Sequence, residues 1–365
     1  MQPFDLIILG GGISGLGVAR EAARRGKRAL LLEAASCCGA TSNNTLRIIH
    51  GGFRYLQHLD LPRVCKSLLD QAAIVREEPD AVAPLPCVMP LSPRGLKSRI
   101  PTSCAALMYG ALMRACRSPL PAPAVISAAE AAAQVPLLRG LATHGALRWH
   151  DALLLDPARI AGRLRAAACA GPVTILEHTA ARAVSRAGEL FEVRDARDAV
   201  HLGRAVVNTL GPFLGTVELP RGLAGSRPRW CKGINITISR QLDSTFGIGV
   251  QGAEGRLLFC VPRGRSTAIG TWYTPIANDG SPLGPDPGEI AALIDAFNAA
   301  LPGANVRASE VEGVDLGVLP MLADSPGGPR LVANEEIHVA GGYVEVLSTK
   351  YTTFRTQARR VLRAI

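Results

Sequence analysis

Two short stretches of the chain carry residue types whose spacing could do chemistry. The first is Gly10-Gly11-Gly12-Ile13-Ser14-Gly15, which follows the apolar run Phe4-Asp5-Leu6-Ile7-Ile8-Leu9 and stands 18 residues before Glu33, counted from Gly15. Gly10 permits a tight turn, Gly12 lets the backbone approach a pyrophosphate, and Gly15 lets a following helix pack closely on a sheet. The helix start at Ile13 and Ser14 offers N–H groups and a positive dipole end to phosphates. Glu33 can accept hydrogen bonds from ribose hydroxyls, and its charge disfavours a 2′-phosphate, hence NADP. The chemistry is dinucleotide binding, with FAD and NAD both open on this motif alone.

The second stretch runs Gly39-Ala40-Thr41-Ser42-Asn43-Asn44-Thr45-Leu46-Arg47-Ile48-Ile49-His50-Gly51-Gly52-Phe53-Arg54-Tyr55-Leu56. Its small hydroxyl and amide side chains can donate several hydrogen bonds along a pyrophosphate and ribityl chain. Gly51-Gly52 would let the backbone lie flat against a ring. An NAD enzyme would leave this loop without a task.

These residues need elements to position them. Leu16, Val18, Ala19, Ala22 and Ala23 recur with helical spacing and Gly26 closes that helix; Lys27 to Leu32 then reads as a second apolar strand ending at Glu33. The chain of 365 residues is 48% apolar and 19% charged, enough for a large core in two or three units and outside the range of disordered or collagen-like chains. The net charge of +10 comes almost entirely from Arg, with only five Lys, and the basic residues are scattered without a run or interleaved aromatics. No nucleic-acid site is expected; the charge reads either as an Arg-rich compositional bias or as attraction to an anionic substrate, cofactor or lipid surface. Nine Cys lie dispersed from Cys37 to Cys260 without metal-ligand or CxxC spacing, so the expectation is reduced thiols, no metal site and a cytoplasmic protein. No apolar run is long enough to span a membrane, and no secretory signal is seen at the N-terminus.

The second stretch resembles the FAD-dependent glycerol-3-phosphate dehydrogenases, within the D-amino-acid-oxidase-like flavoprotein superfamily. Ala40, Thr41, Ser42, Arg47, Ile49, His50, Gly51, Gly52, Arg54, Tyr55 and Leu56 match the family pattern. Further matches follow in order: Val206-Val207-Asn208-Thr209-Leu210-Gly211-Pro212-Phe213, Lys232-Gly233, Ile269-Gly270-Thr271, and Lys350-Tyr351-Thr352-Thr353-Phe354-Arg355. The resemblance spans residues 4 to about 362 and implies FAD as cofactor, held by Gly10, Gly12, Ile13, Ser14, Gly15, Glu33, Thr41, Ser42, Asn44, Thr45, Arg47, His50, Gly51, Gly52, Gly211, Lys350, Tyr351 and Thr352. Thr349, Thr352 and Thr353 are good N-cap types, and a helix over 355–362 would aim its positive end at the flavin N1–C2=O edge, where Lys350 adds charge. Longer family members carry a further C-terminal helical domain, which is expected to be absent here.

Three departures from the family pattern bear on substrate. Asn235 stands where the family has a substrate-facing histidine, and an amide cannot remove a proton. Leu319 replaces a phosphate-contacting arginine, and Ser348-Thr349 replace the glycines before the closing lysine; Arg54 survives, and Arg330 can stand for a second arginine. The expected reaction is hydride transfer to flavin N5 from a small hydroxy substrate like glycerol 3-phosphate, or an altered relative of it. Arg54 and Tyr55 would position the substrate, Asn235 would hydrogen-bond the reacting atom, Lys350 would supply charge, and Tyr273 with Trp272 would shape the pocket. An amine or amino-acid oxidase of the same superfamily, or a non-catalytic flavin-binding subunit, is the alternative. The resemblance implies quinone or oxygen as electron acceptor, and the basic charge suits peripheral contact with the inner membrane face.

The expected fold is α/β in two domains. A Rossmann-like FAD-binding domain takes residues 1–75, 145–220 and 320–365. A substrate domain takes 76–144 and 221–319, with a mixed, mainly antiparallel sheet that includes strands over 233–239, 257–261 and 266–270. A helix over 159–169 is expected, then strands at 173–176 and around 183–193. Pro84-Leu85-Pro86 and the prolines of 119–123 are read as loop markers.

Overall fold

A computed structural model describes residues 2–252, 255–276, 283–325 and 328–365. Leu6–Leu9 (β1) and Ala29–Leu32 (β2) are parallel neighbours joined through the helix Ile13–Arg24 (α1), and every residue of both strands is buried. They lie inside a six-stranded sheet ordered Glu336–Ala340, Tyr343–Leu347, Val206–Asn208, β1, β2, Val173–Leu176. All its pairings are parallel except the outer hairpin Glu336–Ala340/Tyr343–Leu347.

Alternation along β1 explains its unbroken apolar run. Leu6 and Ile8 pack towards α1 and the C-terminal helix Phe354–Val361, whereas Ile7 and Leu9 pack against Val184, Phe191 and Val193 of a three-stranded antiparallel sheet. Helix α1 packs against both Pro157–Cys169 and Phe354–Val361, so the two ends of the chain meet on one face of the sheet.

The second sheet has ten strands. Its order is Arg330–Leu331, Val311–Ala323, Arg229–Ile238, Ser266–Pro275, Leu257–Arg263, Gly247–Gln251, Val82–Pro90, Ala146–Leu154 and Ile48–Ile49, with Ala124–Ile126 added on Ala146–Leu154. It is antiparallel apart from Gly247–Gln251 beside Val82–Pro90. Leu61–Glu77 (α2) and Arg99–Ala115 (α3) pack on one another.

The helix Pro157–Cys169, the strand Val173–Leu176 and the hairpin Ala181–Ala187/Leu190–Asp195 fall where the sequence pattern places them. One reading is corrected: Pro84 and Pro86 lie inside the strand Val82–Pro90, not in a loop. The neighbour Gly247–Gln251 meets that strand only at Cys87 and Val88, so the prolines need no N–H on that side. The C-terminal helix also differs in its cap. Its N-cap Thr353 makes no side-chain bond; Asp70 of α2 instead accepts from the Thr356 N–H (3.3 Å) and hydroxyl (2.9 Å).

Candidate active site

A cavity of about 1980 Å³ is lined by residues of both large sheets. That is roughly twice the upper size of an ordinary ligand pocket, about 1,000 Å³. One end holds Gly10, Gly12, Ile13, Ser14 and Glu33; the lining continues through Thr41, Ser42, Asn44, Thr45 and Arg47, and reaches His50, Gly52, Arg54, Tyr55, Gly211, Asn235, Tyr273, Lys350, Tyr351 and Thr352. The sequence candidates Gly15 and Gly51 are not on the lining; they pack beneath it. A Cβ on Gly15 would overlap the Gly10 carbonyl, and one on Gly51 would overlap the Tyr109 hydroxyl. Both glycines therefore let the cavity floor close up.

At the glycine end, α1 starts at Gly12 without a side-chain cap. Ser42 Oγ accepts from the Ile13 N–H at 3.0 Å, which ties the polar loop to the first helical turn. The Glu33 carboxylate accepts from the N–H groups of Gly11 (2.6 Å) and Ala35 (2.8 Å), fixing it at the end of β2. The polar loop is also held by the other sheet: Val318 N–H donates to Thr41 Oγ1 at 3.1 Å, and Arg263 Nη2 to the Thr45 carbonyl at 2.8 Å.

In the middle, His50 Nδ1 lies 3.0 Å from Asp151 Oδ2. Asp151 also accepts from the N–H groups of Gly51 (2.8 Å), Gln71 (3.1 Å) and Trp149 (3.2 Å). Burial opposes its ionisation, but the His50 contact and these donors outweigh it, and its pKa falls below the usual carboxylate value.

At the far end, the Tyr55 ring is stacked between two cations, with Arg63 and Lys350 each 3.9 Å from its centroid. Burial, reinforced by the charges of Arg63 and Lys66, pulls the Lys350 amine down to about 7 against the opposing pull of Glu335 and Asp60. Ile234 pairs with Trp272 and Asn235 with Gly270, leaving Thr271 as the extra residue of a β-bulge. Thr271 Oγ1 donates to Asn235 Oδ1 at 2.7 Å, so the Asn235 amide N–H₂ remains for another acceptor. Burial pushes the Tyr273 phenol up.

Leu319 lines the cavity beside Gly233, and Arg330 is also on the lining. Trp272 is not; it is partly buried against the core of the ten-stranded sheet, with the Arg256 guanidinium 3.7 Å from its ring centroid. Among the described lining residues the carboxylates are Glu33 and Asp151, against Arg47, Arg54, Arg63, Lys97, Arg256, Arg330 and Lys350. Sequence reading missed Asp151, Arg63, Lys97 and Arg256. Asp151 had a signal, as the only acid in the otherwise apolar or basic run Ala146–Leu154; the others lie outside any motif.

The residues present fit FAD. Small hydroxyl and amide donors line the polar stretch, and buried atoms of lining residues, among them Arg47 Nε, Arg63 Nε and Tyr351 Oη, have no hydrogen-bond partner among the described residues. A parallel sheet with its glycine turn, an acid at the end of β2, and a cavity shared with a mixed sheet define a Rossmann-like dinucleotide-binding fold. The chain belongs to the FAD dependent oxidoreductase family (DAO), whose profile matches residues 5–346. It is 27% identical over 367 residues to the glycerol-3-phosphate dehydrogenase of Mycobacterium leprae, covering 98% of this chain and 62% of that one. The chain therefore spans less than two thirds of that relative's length. In fold it is similar to the FAD-bound L-α-glycerophosphate oxidase of Mycoplasma pneumoniae (TM-score 0.76, 14% identity, covering 100% of this chain and 95% of that one). It is also similar to the glycine oxidase of Geobacillus kaustophilus (TM-score 0.71, 16% identity, covering 100% and 95%).

Proposed function

We propose that this chain oxidises a small hydroxy compound of the glycerol 3-phosphate type. The observation that carries the reading is one cavity whose lining includes the glycine turn and, among the described residues, seven Arg and Lys side chains against two carboxylates. The FAD site is assigned to the lining residues named above, with Gly15 and Gly51 shaping its floor. When bound, FAD supplies the two-electron acceptor for hydride from the substrate carbon. Division into residues 1–75, 145–220 and 320–365 against 76–144 and 221–319 belongs to the same proposal, with Ile48–Ile49, Ala146–Leu154, Arg330–Leu331 and the end of Val311–Ala323 lent to the larger sheet.

The chain's own residues then divide the remaining work. Arg54 and the Tyr55 hydroxyl hold the substrate, Tyr273 bounds the space, and the Asn235 amide donates to the reacting oxygen. Asn235 cannot take the hydroxyl proton, but an amine with a pKa of about 7 can, which assigns proton removal to Lys350. The Asp151–His50 hydrogen bond favours a second assignment, in which Nδ1–H is donated to Asp151 and His50 Nε2 accepts the proton. Quinone or oxygen takes the electrons onward. The region of α3 also suits peripheral contact with an anionic membrane.

The decisive test is anaerobic addition of glycerol 3-phosphate to the FAD-loaded protein. Bleaching near 450 nm (about the usual flavin band) by glycerol 3-phosphate and not by a panel of amines and amino acids is the expected result. Bleaching by an amine alone would transfer the protein to the oxidase alternative, and bleaching by neither would support a non-catalytic role.

A further inference from the structure

Leu319 leaves the cavity wall without the cation that the resemblance places there, yet the cavity remains strongly basic. Lys97, just before α3, is on the lining and half-buried. Its Nζ donates to Gln251 Oε1 at 2.7 Å, and Gln251 ends the strand Gly247–Gln251. This neutral partner fixes the amine without cancelling its charge. Burial and the nearby charge of Arg54 both lower the Lys97 pKa, so the two cations sense one another. The two carboxylates of the described lining are committed elsewhere, Glu33 to Gly11 and Ala35 and Asp151 to His50 and its neighbours. Lys97 and Arg54 line the same cavity, and like charges facing one space are stabilised when an anion joins them.

We infer that Lys97 and Arg54 form the anion subsite of the cavity, gripping the phosphate of a small phosphorylated polyol in place of the cation lost at Leu319. The inference rests on the function proposed above. Arg54 offers a planar fork to two phosphate oxygens, and Lys97 a compact charge with three donors. Lys97 is then a specificity-determining residue that none of the recognised motifs contains.

The test uses the full-length, FAD-loaded protein and two probes. Inorganic phosphate is titrated by its perturbation of the flavin spectrum, and turnover is measured with glycerol 3-phosphate and with glycerol. K97Q should weaken phosphate binding and raise KM for glycerol 3-phosphate, each by about tenfold or more, the scale of one charge-assisted hydrogen bond. The preference for glycerol 3-phosphate over glycerol should fall by the same factor, and K97R should recover most of the loss. K97Q with wild-type flavin content and Tm but unchanged phosphate affinity overturns the subsite, as does a wild-type protein that binds no phosphate. Phosphate binding that is lost in K97Q, in a protein that never oxidises glycerol 3-phosphate, upholds the subsite and overturns the proposed reaction instead.

Discussion

An amine shut away from water beside other cations gives up its proton readily, and Lys350 is in that position. Its folded pKa of about 7 lies below the ordinary lysine value of 10.5, so burial costs stability whenever it is charged. Below pH 7 both folded and unfolded chains hold the proton and the cost is fully present. Between about 7 and 10.5 the unfolded chain binds more protons, and stability rises with pH. K350M should therefore raise Tm most below pH 7, with the gain shrinking towards pH 10; a gain independent of pH would mean that the amine is not perturbed. The same variant should abolish the rise in kcat across pH 7, whereas turnover lost in H50Q with that rise intact in K350M assigns proton removal to His50. The perturbation itself could not be read from the chain. Lys350 stood out through its motif, but Arg63 and Lys66, which lower its pKa together with burial, come from α2 and show no pattern in sequence.

At the scale of elements, the C-terminal helix depends on a side chain far away in sequence. Asp70 takes over the capping role that the run of threonines suggested for Thr353. D70A should cost about 1 kcal/mol in urea denaturation, the usual worth of a helix cap. D70N should cost much less, because burial already favours the uncharged form of this carboxyl and an amide oxygen can still accept. Some strands and helices were legible, since β1 and β2 are continuous apolar runs and Pro157–Cys169 opens with a capped Asp156-Pro157 pair; α2, α3 and Pro287–Ala300 were not placed. Val82–Pro90 was not, because proline's fitness for a strand depends on which of its sides is paired, and pairing is a tertiary fact. Asp151 illustrates the same limit: its donors come from α2, the His50–Gly51 segment and its own strand.

Across the whole molecule, charge and apolar surface are unevenly shared. Residues 81–129 contain no acid, while Arg94, Lys97, Arg99, Arg114 and Arg117 are all basic. Within that segment Leu96, Ile100 and Leu107 are 73%, 78% and 77% exposed, and Leu96 also lines the cavity. Exposed apolar side chains in a segment whose charged residues are all basic suit the boundary of an anionic bilayer. No helix among the described residues is long and apolar enough to cross one. Sedimentation with vesicles containing phosphatidylglycerol should carry the protein down at low salt, and I100S/L107S should release it with activity on soluble acceptors kept. Equal pelleting of the double variant would discard this contact.

The hydrogen bond from Val318 to Thr41 and the one from Arg263 to Thr45 stitch the cofactor loop to the ten-stranded sheet, which also carries Asn235. Grip on the dinucleotide and grip on the substrate thus share a seam. Thermodynamic reciprocity then requires that whatever factor substrate adds to retention of the flavin, the flavin returns to the affinity for substrate.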